Sequence, residues 1–261
     1  MKKAVKRKMP ASTVIAIIIA VFVLLCAAAV IMDCFLFPLA DTSAGQKIRD
    51  YAKEHELSYF QYPKSLIELL ERNPETEKFV LEYPTAKDME YTIDLSGYSR
   101  DTVPLFMQWD QRWGYIQYGS DVAALTGCGP VCLSMAGYYL TGDEAYSPDK
   151  MLAFASENGY YVDGIGSSWT LISEGGVKLG LDVTELPLDE GRIRANLEVG
   201  NPVICVMGPG DFTTTGHFIV LTGWEDGKIR VNDPNSIANS EKLWTYDHIS
   251  GQIKNLWAIR N

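Results

Sequence analysis

Three residues spread along this chain have the side chains that acyl transfer needs: a cysteine, a histidine and a carboxylate. Cys128 stands between two glycines, just before Pro130 and an apolar run that reads VCLSMAGYYL. His217 opens a second apolar run, and Asp233 follows it in the motif NDP. A thiolate nucleophile, an imidazole base and an acid that orients the imidazole are the parts of cysteine-based catalysis. Their order here indicates acyl transfer, most simply peptide hydrolysis.

The sequence around Cys128 predicts a thiol at the first turn of a helix that runs to about Leu140. Unpaired N–H groups and the helix dipole favour an anion there, which lowers the pKa of a thiol. Pro130 fits a first turn, because its missing N–H costs nothing at that point. Alternatively, Cys128 is a small core residue at a helix cap. Cys132 and Cys205 lie among apolar neighbours and are interpreted as buried packing thiols.

The choice of base is narrow, because the chain has only three histidines. His55 lies in a polar stretch, and His248 lies near a predicted turn. His217 begins a predicted strand, where a ring can be held rigidly at the end of a sheet. It is therefore the candidate base, with a purely structural histidine as the alternative.

A predicted hairpin connects the candidate base to the candidate acid. A three-residue loop at 225–227 would place Ile219 opposite Asp233, so that His217 shares the face of the carboxylate and lies diagonal to it. A two-residue loop would put the two side chains on opposite faces. The motif NDP is also typical of a turn that merely ends a strand.

A tetrahedral oxyanion needs hydrogen-bond donors, and the backbone N–H of Cys128 is one of them. A side-chain amide from Gln108, Gln111 or Gln117 is a second, and spacing does not select among the three. The sequence holds no zincin, P-loop or serine-hydrolase motif. Only Cys128 and Cys132 have a short metal-ligand spacing, so neither a metal nor another cofactor is expected.

Four blocks of sequence together resemble the C39-like (papain-like) cysteine peptidase domain, over about Val103 to Asn261. They are QWDQRW at 108–113, GCGP at 127–130, GHFIVLTG at 216–223 and VNDP at 231–234. The resemblance implies an α+β, papain-like fold in which a Cys-bearing helix packs on an antiparallel sheet.

The same resemblance implies roles for individual residues. Cys128 matches the nucleophile, His217 the base and Asp233 the residue that orients the base. The glutamine that completes the oxyanion hole matches Gln108, with Gln111 in reserve. The implied partner is a peptide or protein substrate.

The first third of the chain predicts a membrane anchor and a stalk. Residues 1–10 are basic, and the uncharged, mostly apolar stretch 11–32 is long enough to span a bilayer. The positive-inside rule then keeps the N-terminus in the cytoplasm and places the catalytic domain outside, at the cell membrane. A cleaved signal peptide is the alternative. Residues 33–102 are interpreted as a helical juxtamembrane stalk, and 103–261 as the peptidase domain.

Charge excludes one class of partner. Five of the 23 basic residues stand in the first ten positions, so the rest of the chain holds 18 basic residues against 33 acidic ones, a net charge of −15. A negatively charged surface repels the phosphates of nucleic acid, so nucleic acid is not expected as a partner. Two alternatives to hydrolysis remain open: a catalytically silent module of the same fold that binds peptides or cell-wall stems, and an acyl transferase or amidase that uses the same triad.

Overall fold

The computed structural model describes residues 13–14, 17–25 and 42–261, and these divide into two compact units, Met1–Glu71 and Arg72–Asn261. The predicted basic tail 1–10 lies outside the described residues, as does much of the predicted anchor 11–32. Residues 13–14 and 17–25 are helical. Within the described ranges, none of the helices combines the length and the apolar character that crossing a bilayer requires.

The first unit is built from short helices. They are an α-helix at Ser43–Glu54, a 3₁₀ turn at Tyr59–Gln61 and an α-helix at Lys64–Arg72, whose last residue belongs to the second unit. The side chain of Thr42 caps the first helix by accepting the N–H of Gly45 (3.1 Å). Apolar residues at helical spacing, among them Ile48 and Leu66, are fully buried.

The second unit contains the remaining elements, an α+β arrangement as predicted. Its α-helices are Glu77–Leu81, Tyr83–Ala86, Gln111–Gly114, Ala123–Thr126, Cys128–Thr141, Pro148–Glu157, Gly176–Lys178, Glu190–Glu198, Ile237–Ser240 and Tyr246–Ser250, with 3₁₀ turns at Pro74–Thr76 and Glu144–Tyr146 and a π-helical turn at Leu171–Gly175. Its strands are β1 (Gln117–Tyr118), β2 (Asp121–Val122), β3 (Tyr161–Val162), β4 (Gly166–Ser167), β5 (Asp182–Glu185), β6 (Val203–Met207), β7 (His217–Glu225), β8 (Lys228–Asn232), β9 (Leu243–Trp244) and β10 (Ile253–Arg260).

Six of these strands form one antiparallel sheet in the order β5-β10-β6-β7-β8-β9. The helix at Cys128–Thr141, called the Cys helix below, packs against β7. Side chains alternate along β7, so Phe218 and Val220 join the apolar cluster that contains the Cys helix, whereas Ile219 and Leu221 join a second cluster on the other face. The predicted packing of a Cys-bearing helix on an antiparallel sheet is thus confirmed.

The hairpin between β7 and β8 differs from the prediction in its turn. Glu225 pairs with Lys228, so the loop has two residues rather than three. Both loop residues, Asp226 and Gly227, have positive φ (50° and 74°), which is the backbone of a tight hairpin turn and suits an Asp-Gly pair. The predicted three-residue loop at 225–227 is therefore wrong.

A β-bulge restores the pairing that the shorter loop would have shifted. The register changes between Leu221 and Gly223, and beyond this point Leu221 pairs with Val231 and Val220 with Asn232. This is the register that a three-residue loop would have produced at the end of the hairpin near His217. The extra residue in β7 compensates for the residue missing from the turn.

From its mostly apolar residues, the segment Val103–Phe106 is predicted to be a short strand, but it forms no sheet pairs. Pro104 lacks the N–H that a ladder needs. The side-chain amide of the buried Asn232 instead donates to the carbonyl oxygens of Val103 and Pro104, both at 3.0 Å. This segment is thereby held against the residue that precedes Asp233.

Candidate active site

The thiol of Cys128 lies at the start of the Cys helix and is only partly buried. The imidazole of His217 and the backbone N–H groups of Phe218 and Gly129 lie near enough to this thiol to affect its pKa. Burial alone would raise the pKa of Cys128. The interaction with His217, the charge of the imidazolium and the two backbone N–H groups outweigh this effect, so the pKa lies below that of an ordinary thiol.

The glycine that follows the thiol is required by close packing. A Cβ added to Gly129 would lie 2.7 Å from the side chain of Ser167, which belongs to β4. The hydroxyls of Ser167 and Tyr118 are 2.8 Å apart, and both residues are buried. Small size at position 129 thus lets the β3–β4 hairpin lie directly beside the first turn of the Cys helix.

His217 begins β7 and is paired with the carboxylate of Asp233. The distance from Nε2 of His217 to Oδ1 of Asp233 is 2.8 Å, and the two side chains are 8% and 1% exposed. Burial alone would lower the pKa of His217, but the charge and hydrogen bond of Asp233, aided by the thiolate of Cys128, raise it to about 10. Since Asp233 occupies Nε2, Nδ1 is the nitrogen left for the thiol.

Asp233 is itself held by polar groups that were not predicted from the sequence. The Nδ2 amide of Asn239 donates to Oδ2 (3.0 Å), and the N–H of Asn235 donates to Oδ1 (2.9 Å). The N–H of Asp233 donates to Oγ of Ser240 (2.9 Å). Although burial opposes it, the imidazolium of His217 and these donors lower the pKa of Asp233 and keep it ionised.

One signal in the sequence could have located these supporting groups. Ser236 is a favourable N-cap residue, and its side chain accepts the N–H of Asn239 (3.2 Å) at the start of the helix Ile237–Ser240. A helix whose N-cap lies three residues after Asp233 has its first turn beside the carboxylate. The motif NDP therefore introduces a supporting helix as well as a turn.

Gln108 connects the segment that precedes the Cys helix with the segment that follows Asp233. Its backbone N–H donates to the carbonyl of Pro234 (2.7 Å), and its Nε2 donates to the carbonyl of Ala124 (2.7 Å). The side chain is buried, and within residues 42–261 its Oε1 has no hydrogen-bond partner. The second hydrogen on Nε2 is the group that could donate to a bound oxyanion.

The other two glutamines are engaged elsewhere. Nε2 of Gln111 donates to the carboxylate of Glu82 (2.7 Å) and to the hydroxyl of Tyr115 (3.2 Å). Nε2 of Gln117 donates to the carbonyl of Gly119 at the surface. Of the three amides that spacing left open, Gln108 alone is bound between the segments that carry Cys128 and Asp233.

The remaining cysteines and histidines of the described ranges do not join this site. Cys132 and Cys205 are buried as predicted, and burial raises the pKa of both thiols. His248 is 55% exposed and pairs with Asp211 (Nε2 to Oδ2, 2.9 Å). His55 belongs to the first unit. Within the part of the chain that the structure describes, no group of three His, Cys, Asp or Glu side chains could hold a metal ion.

One comparison with known proteins identifies a family for this chain. The model of the Peptidase_C39 like family matches residues 100–261. Similar solved structures include the peptidase domain of Streptococcus ComA, a bi-functional ABC transporter involved in a quorum sensing pathway (18% identity, 60% of this chain, 98% of that chain, TM-score 0.41). A putative C39-like peptidase from Bacillus anthracis is another (15% identity, 61% of this chain, 95% of that chain, TM-score 0.35). No curated protein matches.

Proposed function

Because this chain belongs to the Peptidase_C39 like family, we propose that it is a cysteine peptidase in which Cys128 is the nucleophile, His217 the base and Asp233 the residue that orients the base. One observation carries the proposal: the imidazole of His217 is hydrogen-bonded to the carboxylate of Asp233 and lies near enough to the thiol of Cys128 to lower its pKa. The thiol has a lowered pKa and the imidazole a raised one. Such a pair rests as thiolate and imidazolium near neutral pH.

The proposed reaction has two stages. The thiolate of Cys128 attacks the peptide carbonyl, and the oxyanion accepts hydrogen bonds from the backbone N–H of Cys128 and from Nε2 of Gln108. The imidazolium of His217 gives its proton to the leaving amine as the C–N bond breaks, which leaves a thioester on Cys128. His217 then takes a proton from water, the hydroxide attacks the thioester, and the thiolate returns as the acid product leaves.

The buried carboxylate of Asp233 keeps the imidazole in position through both stages. Its hydrogen bond to Nε2 directs Nδ1 toward the thiol and stabilises the charged ring. The donors on Asp233 prevent this carboxylate from taking the proton itself. Hence the proton moves between sulfur, imidazole and substrate.

The proposed location is the outer face of the cell membrane. The uncharged stretch 11–32, with five basic residues before it, supports a single N-terminal anchor whose basic end stays in the cytoplasm. The acidic remainder of the chain supports a peptide or protein substrate rather than nucleic acid. Protease digestion of intact cells would test this, since only an exported domain is cut from outside.

Activity of the purified full chain on a peptide library, read by mass spectrometry, tests the proposed reaction. We expect new peptide termini with the wild type and none with Cys128→Ala. Cys132→Ala is the matched control, because it removes a buried thiol one turn along the same helix and should stay active. Unchanged peptides with a fully folded wild type would indicate the silent binding module, and transfer to an added amine would indicate an acyl transferase.

A further inference from the structure

The short helix that supports Asp233 is held at its start by a glutamate from far upstream. Oε2 of Glu75 accepts the N–H of Ile237 (2.8 Å), and Oε1 accepts the N–H of Ala238 (2.9 Å). The first N–H groups of a helix have no partner within the helix, and a carboxylate at this end is also favoured by the dipole. The helix Ile237–Ser240 has only four residues, so it depends on such outside contacts.

A second contact from the same upstream segment reaches the turn before this helix. Nδ2 of Asn73 donates to the backbone carbonyl of Asn235 (2.6 Å), and Nε1 of Trp109 donates to the same oxygen (3.0 Å). The N–H of Asn235 in turn donates to Oδ1 of Asp233 (2.9 Å). Asn73 and Glu75 therefore hold both peptide segments whose groups bind the carboxylate.

The far side of the short helix completes the connection. Asn239 donates its side-chain amide to Oδ2 of Asp233, and Ser240 accepts the N–H of Asp233. Two hydrogen bonds to Glu75 thus fix a helix of one turn, and that turn carries one group that binds the carboxylate of Asp233 and one that binds its backbone. The carboxylate then fixes the imidazole of His217.

We propose that Asn73 and Glu75 are positioning residues of the triad, although they lie outside the family match, which begins at residue 100. This inference rests on the proposed function. By holding Asn235 and the helix Ile237–Ser240, they keep the carboxylate of Asp233 at hydrogen-bonding distance from His217. The catalytic unit then includes part of the segment that precedes the family domain.

The variant Glu75→Gln, made in the purified full chain, tests this inference. Glutamine keeps the size of the side chain but loses the charge and one of the two acceptor oxygens. The groups that face His217 are Cys128 and Asp233, so a looser Asp233 lowers the pKa of the imidazole and raises that of the thiol. We expect alkylation of Cys128 by iodoacetamide at pH 7 to slow roughly three- to tenfold. In the plot of alkylation rate against pH, the rising limb should move to higher pH.

The matched control is Glu90→Gln, because Glu90 is an exposed glutamate of the same upstream segment. It should react as the wild type does. A purely structural loss in Glu75→Gln would lower the melting temperature without moving the pH profile. A double-mutant cycle with Asn239→Ala should be non-additive, since both changes act through the same contact on Asp233.

A second variant keeps the test decisive if Glu75→Gln does not fold. Asn73→Ser retains an oxygen able to cap the turn at Pro74–Thr76 but lacks the amide that binds Asn235. Asn73→Ser should also shift the pH profile of Cys128 alkylation to higher pH. Profiles of Glu75→Gln or Asn73→Ser that coincide with Glu90→Gln overturn the inference. A wild type in which Cys128 reacts no faster than Cys132 overturns the proposed function instead.

Discussion

His217 and Asp233 lie sixteen positions apart in the chain, yet Nε2 of the imidazole is 2.8 Å from Oδ1 of the carboxylate. The contact follows from the pairing of β7 with β8, in which Val220 is opposite Asn232. Extending this register by one residue places Ile219 opposite Asp233, so that His217 is the diagonal neighbour of the acid.

The charge of Asp233 is the first quantity to test. Asp233→Asn keeps the shape of the side chain but cannot stabilise the imidazolium, so kcat should fall by about 10²–10⁴. The matched control is Asp211→Asn, because Asp211 forms the same kind of pair with His248 at the surface. That control should change kcat less than twofold. Equal effects of the two substitutions would show that the buried pair has no special part in catalysis.

The pH dependence of hydrolysis should reflect the pair of Cys128 and His217. The pKa of the thiol is lowered, so thiolate is present below the pH at which a free cysteine ionises. The pKa of His217 is raised to about 10, so the imidazolium that protonates the leaving amine is lost as the pH rises through that value. We expect a bell-shaped profile of kcat/KM against pH. A single rising limb at the pKa of a free thiol would contradict this assignment.

Removal of the amide of Gln108 should lower kcat by about 10²–10³, the usual loss for one oxyanion donor. Alkylation of Cys128 should be nearly unchanged in Gln108→Ala, because the thiolate forms before any oxyanion does. Gln117→Ala is the control, since that amide binds only the carbonyl of Gly119 at the surface. A kcat for Gln108→Ala within threefold of the wild type would remove Gln108 from the oxyanion site.

A stability measurement tests the contact that holds the segment before Gln108. In Asn232→Ala, the buried carbonyls of Val103 and Pro104 lose their donor, so the free energy of unfolding should fall by about 1–3 kcal/mol. Urea denaturation monitored by tryptophan fluorescence would measure it. Asn201→Ala removes only one long contact of 3.4 Å and should leave the stability within about 0.5 kcal/mol. Similar losses of unfolding free energy in both variants would contradict a stabilising role for the contact of Asn232 with Val103 and Pro104.

The sequence predicted the elements that carry the proposed triad because their signals are local. The Cys helix was expected to end at about Leu140 and ends at Thr141, where Gly142 adopts a positive φ of 71°. The helix Pro148–Glu157 was likewise predictable from a serine before a proline. Apolar runs bounded by glycine and proline located β6 and β7.

The relation between His217 and Asp233 was predicted correctly from a wrong turn. The expected loop had three residues, and the observed loop, Asp226 and Gly227, has two. The error cancels because the bulge between Leu221 and Gly223 adds the missing residue to β7. Bulges depend on packing across the sheet rather than on a short motif, so spacing alone could not have revealed this one.

Contacts that join distant segments could not be predicted at all. Nothing in the spacing of Glu75 or Asn73 indicates that they bind a turn some 160 positions later. Periodicity reports which face of an element is buried but does not report which loop lies against it. The choice of Gln108 over its neighbours depends on the same kind of long-range contact.

The most direct test of the proposed triad is site-resolved alkylation of the purified full chain at pH 7. Iodoacetamide labelling followed by peptide mass spectrometry should show Cys128 reacting at least tenfold faster than Cys132 and Cys205, and this advantage should disappear in His217→Ala. An equal rate at the three thiols, or a Cys128 rate that His217→Ala leaves unchanged, would contradict an imidazole-activated nucleophile at this site.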